Sequence, residues 1–189
     1  PGVAFSSPFG LAFDAAGVLY VADAGNHRVR SFAPNGAEGP AIGTGATALN
    51  SPYGVHVDAS GIYVADTGGN VVRKFNATGT LLTTIDGRTA GARPLAAPAA
   101  VAVDAGGNVW VADTGNSLIQ KFNAAGAHLA SIDGSASGGG ALVMPLGLAL
   151  RAGGGILVAD TGNGLVRRFA ASGAPAGSGD AGPVRLSKP

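Results

Sequence analysis

The sequence predicts an all-β fold, a β-propeller built of four-stranded antiparallel blades, with four copies of the blade present. Three observations predict it. The segment Pro8-Phe-Gly-Leu-Ala-Phe-Asp14 has counterparts starting at Pro52, Pro98 and Pro145, at spacings of 44, 46 and 47 residues. A second block, Val21-Ala-Asp23, returns as Val64-Ala-Asp66, Val111-Ala-Asp113 and Val158-Ala-Asp160, and each Asp is followed nine residues later by Phe32, Phe75, Phe122 or Phe169. Within each copy the apolar residues alternate with period two, and glycine-bearing turns separate the runs. A repeat of roughly 40–50 residues made of short strands is the signature of a propeller blade.

The elements follow in order. In the first copy Leu11 and Phe13 alternate with Ala12, which places strand A at 10–14. Leu19 and Val21 place strand B at 18–23; Val29 and Phe32, after the Gly-Asn turn, place strand C at 27–33, with a weaker D beyond. The second copy predicts strands at 54–58, 62–66, 71–76 and 80–86, and the third at 100–104, 108–113, 118–123 and 127–133. The blades then run 8–51, 52–97, 98–144 and 145–188, within a single domain spanning 1–189.

Composition narrows the function classes. The chain is 46% hydrophobic and only 12% charged, with a formal net charge of +1, which argues against a disordered tail and against a strongly basic nucleic-acid binder. With no cysteine, disulfides, thiolate metal sites and cysteine nucleophiles are excluded. No apolar run approaches the roughly 18 residues of a membrane span. The chain opens at Pro1 without a charged or apolar leader, so it is expected to begin after processing, within a larger protein or at a cloned boundary.

The motifs P-x-G-[LV]-x-[FV]-D, Y-V-A-D-[AT]-G-N and [VI]-[RQ]-x-F resemble the NHL repeat, most closely at Asp23-Ala-Gly-Asn-His27-Arg-Val29. The resemblance implies part of a six-bladed ring, completed by further blades of the same protein or by a second copy. It also implies an extracytoplasmic or secreted setting, as the sensor part of a larger bacterial protein. Relatives of this type include sensor kinases, RNA-binding ubiquitin ligases and amidating lyases. The zinc histidines of those lyases follow the blade proline; here the matching positions are Phe9, Tyr53, Ala99 and Leu146, so no metal and no cofactor are expected.

The recurring residues read as blade architecture. Asp23, Asp66, Asp113 and Asp160 can accept backbone N–H groups of their own turns, and the glycine two residues on would permit a positive φ. Calcium loops need several closely spaced oxygen ligands, and each turn offers one. Asp14, Asp58 and Asp104 precede the next turn, where the fourth copy substitutes Arg151. Asn76-Ala-Thr78 matches a glycosylation sequon and also reads as a turn. Gly134–Gly140 reads as a flexible loop on the binding face.

Function is expected where the copies differ. The candidate ligand-binding residues are Phe9, His27, Arg28, Tyr53, Arg88, Arg93 and Leu146 on the loop-built face, with His56 on an inner strand where the other copies carry alanine. Three histidines at different blade positions cannot converge on one ion. No nucleophile–base–orienter set is assembled by a chain with one glutamate and no cysteine, so no catalytic residue is assigned. The sequence therefore predicts a non-catalytic binding or scaffolding face for a protein, peptide or glycan. A hydrolase or lyase acting at the central channel is the first alternative. Single-stranded RNA bound through Arg88 and Arg93 is the second, disfavoured by the thin supply of basic residues.

Overall fold

The computed structural model describes residues 4–137, 140–152, 154–170, 172, 174 and 184–185. They form four antiparallel sheets. The first holds β1 (Pro8–Phe13), β2 (Leu19–Asp23) and β3 (Arg28–Phe32). The second holds β4 (Pro52–Asp58), β5 (Gly61–Asp66), β6 (Val71–Phe75) and β7 (Leu81–Ile85). The third holds β8 (Pro98–Val103), β9 (Val109–Asp113), β10 (Leu118–Phe122) and β11 (His128–Ile132). The fourth holds β12 (Pro145–Leu150), β13 (Ile156–Asp160), β14 (Leu165–Phe169) and β15 (Val184–Arg185). Each sheet is a meander in sequence order, which is a propeller blade.

Two details differ from the sequence reading. The A strands begin at the proline, two residues earlier than expected, because a strand's first residue needs no ladder N–H. The first blade has three strands, and its fourth is reduced to the isolated bridges Val29–Ile42 and Phe32–Glu38. Pro40 lies between those bridges and lacks the N–H that a continuous ladder requires.

The inner strands β1, β4, β8 and β12 stand side by side in that order. Between successive blades lie three apolar layers. Tyr20, Val29 and Ile42 meet Val55, Ile62, Val64 and Phe75; Tyr63, Val72 and Ile85 meet Val101, Val109, Val111 and Phe122; Trp110, Ile119 and Ile132 meet Ile156, Val158 and Phe169. Alternation explains the pattern: odd and even positions of one strand face opposite neighbours, so both faces of a middle blade are buried.

The B-strand aspartates accept backbone N–H groups from the preceding loop rather than from their own turns, contrary to expectation. Asp23, Asp66, Asp113 and Asp160 are fully buried, and each accepts a backbone N–H from the loop that leads into its own blade: Ser6, Asn50, Ala96 and Val143, at 2.6–2.8 Å. Asn26, Asn116 and Asn163 donate to the same carboxylates and also to loop carbonyls of Ala4, Pro94 and Ala141. The glycine two residues after each Asp has no positive φ, contrary to expectation; its role is close approach. A Cβ on Gly115 would stand 2.8 Å from the Ala96 carbonyl oxygen, to which Gly115 donates its N–H. The left-handed residue comes two positions later, at His27, Asn70, Ser117 and Gly164.

The other turn residues also resolve into architecture. Asp104 accepts N–H groups from Gly106, Asn108 and the Trp110 ring, and the Arg151 backbone bonds to Gly154 and Gly155 across its turn. Asn76 accepts the N–H groups of Thr78 and Thr80, so the sequon residues form a tight turn. Of the loop 134–140, residues 135–137 make one 3₁₀ turn, and 138–139 lie outside the described residues.

Candidate functional site

Every A–B hairpin carries one extra residue just after its proline. The pairing steps from Pro8–Asp23 to Leu11–Val21, from Pro52–Asp66 to Val55–Val64, and likewise after Pro98 and Pro145. Such a bulge re-aims a side chain out of the ladder. The re-aimed positions are those following the prolines: Phe9, Tyr53, Ala99 and Leu146. The glycine after Phe9 and Tyr53 lets neighbouring inner strands approach, since a Cβ on Gly54 would lie 2.7 Å from the Ala99 carbonyl oxygen.

These positions line an apolar funnel of about 300 Å³ between the inner strands. The Phe9 and Tyr53 rings stack, with centroids 4.0 Å apart and planes 12° from parallel. Leu146 projects from the fourth blade and Ala99 leaves room between them. The Tyr53 hydroxyl is the one side-chain polar group among the lining residues. The site can therefore seat an apolar or aromatic group and give it a single hydrogen bond.

Of the eight candidate residues, the structure brings together Phe9, Tyr53 and Leu146. His27 is engaged structurally, its Nδ1 accepting the N–H of Ser51 at 2.9 Å from the following blade's loop. Arg28 pairs with Asp23, Nε to Oδ2 at 3.3 Å. Arg88 lies out on its loop beside Asp86, and the Arg93 backbone exchanges hydrogen bonds with the Gln120 amide. His56 is not among the funnel residues; its Nε2 is 3.8 Å from Asp58 Oδ2 and buried without a hydrogen-bond partner. Burial lowers the His56 pKa, only partly offset by the Asp58 charge, which favours the neutral imidazole. No cluster of His, Asp and Glu among the described residues is arranged to hold a metal.

Sequence reasoning missed Leu11, whose side chain shares the funnel with Phe9. The available signal was size: Leu11 and Phe13 stand where the second and third copies carry valines.

The NHL repeat family model matches residues 5–32 and 95–122, so the chain carries NHL repeats at these two places. No curated protein matches the chain. Among solved structures, a streptogramin B lyase superimposes with a TM-score of 0.72 at 15% identity, covering 95% of this chain and 54% of that one. Virginiamycin B lyase from Staphylococcus aureus does so with a TM-score of 0.71 at 12% identity, covering 95% of this chain and 55% of that one. A chain of a nidogen/laminin complex gives 0.70 at 21% identity, covering 89% and 62%. These likenesses establish the propeller fold, and the chain spans little more than half the length of the two lyases.

Proposed function

We propose that the chain is a binding module that takes an apolar or aromatic side chain of a peptide or protein ligand into the inner-strand funnel. The observation that carries this reading is the open Phe9–Tyr53 stack facing Leu146. Aromatic rings give large contact area at little entropic cost, and hot spots of protein recognition concentrate on them. A glycan would call for several fixed polar partners, whereas the lining offers only the Tyr53 hydroxyl. The nidogen/laminin neighbour supports a protein ligand as a use of this fold. The lyase neighbours suggest chemistry instead, but general acid–base catalysis needs a positioned proton donor and acceptor, and the funnel lining offers one titratable side chain, the Tyr53 phenol.

The test is selection from a random peptide display library on the immobilised chain, followed by titration of the enriched peptides against variants. Enriched peptides are expected to share an aromatic or large aliphatic residue. They are expected to lose at least about tenfold in affinity on Tyr53→Ser and on Leu146→Asp, and to be insensitive to Arg88→Ala. Peptides indifferent to both funnel variants would overturn the assignment. Turnover of a streptogramin B by the purified chain would replace it with the lyase reading.

A further inference from the structure

The side chains that follow the blade prolines form a row, in blade order Phe9, Tyr53, Ala99 and Leu146. Its first step is a stack, the Phe9 and Tyr53 rings lying 4.0 Å apart at 12°. The backbone repeats that step once more. A Cβ on Gly10 would run into the Tyr53 carbonyl oxygen, and one on Gly54 into the Ala99 carbonyl oxygen. The second and third inner strands therefore approach each other as the first and second do. A ring over position 99 would stand against Tyr53 as Tyr53 stands against Phe9.

The third step is built differently. The residue after Ala99 is Ala100, which carries a Cβ where Gly10 and Gly54 have no room for one. The fourth inner strand must stand farther off at this point. A small residue in the row and a wider step after it leave space over Ala99, between the Tyr53 ring and Leu146. Ala99, 7% exposed, is the floor of that space, and Leu146, 40% exposed, is its rim. An apolar cavity of roughly 150 Å³ already accepts benzene, and the funnel measures about 300 Å³. Its walls here belong to the second, third and fourth blades of this chain. Every aromatic residue of the chain is among the described residues, and only Phe9 and Tyr53 line the funnel.

We propose that the funnel selects a planar aromatic side chain, which lies over Ala99 as the third ring of the Phe9–Tyr53 stack, with Leu146 against its other face. This names the class of residue taken by the peptide-binding site and rests on that reading. Ala99 is then the specificity-determining position, because its short side chain leaves the ring its place and a larger one would fill that place from within. Stacked aromatic pairs gain more than their buried area alone supplies, whereas a saturated ring of the same size gains the area only. The difference corresponds to about three- to tenfold in affinity.

The probes are the N-acetyl amides of phenylalanine, cyclohexylalanine and leucine, titrated into the chain while the methyl resonances of Ala99 and Leu146 are followed by NMR. The phenylalanine amide is expected to bind about three- to tenfold more tightly than the cyclohexylalanine amide, which keeps the carbon skeleton without the π-face. Its ring current is expected to shift both methyl groups upfield. Ala99→Phe is expected to weaken all three probes at least about tenfold, by supplying the third ring from the chain itself. Tyr53→Leu is expected to retain the leucine amide and to erase the preference for phenylalanine. The fluorescence of Trp110, 1% exposed, verifies that each variant folds. Should Ala99→Phe fail to fold, Tyr53→Leu decides alone. Equal or tighter binding of the cyclohexylalanine amide overturns the aromatic selection and leaves the broader apolar-binding reading standing. A preference that survives Tyr53→Leu, or methyl groups that respond to no probe, also overturns it. The broader reading fails separately, on display-selected peptides indifferent to the funnel variants.

Discussion

The Asp113 carboxylate accepts the backbone N–H of Ala96, seventeen residues earlier in the chain, at 2.8 Å. Gly115 returns a hydrogen bond from its own N–H to the Ala96 carbonyl at 2.9 Å. One loop residue is thereby held at both of its backbone polar groups by one turn. The same two bonds recur between Asp23–Gly25 and Ser6, Asp66–Gly68 and Asn50, and Asp160–Gly162 and Val143. This rivet fixes where each loop delivers its proline, and hence where the bulged funnel residue points.

Asp113→Ala is expected to destabilise the chain by about 2–4 kcal/mol, because it strands the Ala96 N–H and takes one of two acceptors from each of the Asn116 and Gln120 amides. Asp113→Asn should cost nearly as much, since an amide presents a donor where the Asn116 and Gln120 donors converge. Guanidinium unfolding followed by the fluorescence of Trp110, the only tryptophan, measures both.

Glycines at two positions of this recurring turn should respond differently. Gly115→Ala forces a Cβ against the Ala96 carbonyl and is expected to cost about 1–3 kcal/mol. Gly164 has φ +64 but open space around its Cα, and its counterparts are His27, Asn70 and Ser117. Gly164→Asn should therefore fall within about 0.5 kcal/mol of wild type. Paired thermal melts would separate a glycine kept for space from one kept for φ.

Acid should weaken the third blade in a defined window. Burial opposes ionisation of Asp104, but hydrogen bonds from Asn108 and Trp110 and the charge of Lys121 outweigh it and hold the carboxyl at about 2, against an ordinary 3.8. A depressed carboxyl stabilises the fold above its unfolded pKa, and the contribution is lost as pH falls from about 4 to about 2. Asp58 is lowered too, and shares the loss. Melting temperatures across that window should fall less steeply for Asp104→Asn than for wild type, from a lower starting value at neutral pH.

Thr67→Val and Thr114→Val each remove one hydroxyl bond between blades and are expected to cost about 1 kcal/mol apiece. The junctions are separate, so the double variant should cost about the sum. A clearly non-additive result would mean that the two junctions are energetically coupled through the third blade, which they share.

Much of this was legible in the sequence. The alternation in Leu19-Tyr-Val-Ala-Asp23 fixes a strand, and Pro8, Pro52, Pro98 and Pro145 mark the start of each copy. The funnel's Phe9, Tyr53 and Leu146 were visible as variable positions in an invariant motif. His27 and Arg28 were variable as well, yet the structure turns His27 onto Ser51 and Arg28 onto Asp23. Variation alone does not distinguish a ligand contact from a junction that each blade solves with a different acceptor.

Local pattern determined the blade, because strand alternation, turn glycines and the buried aspartate act within one repeat. It could not determine which copies of a face are covered, because burial depends on a neighbour distant in sequence. Leu11 and Val101 occupy equivalent positions, and only the tertiary arrangement leaves one exposed and the other buried. The physical reason is that apolar burial is a property of pairs of surfaces, while periodicity is a property of one.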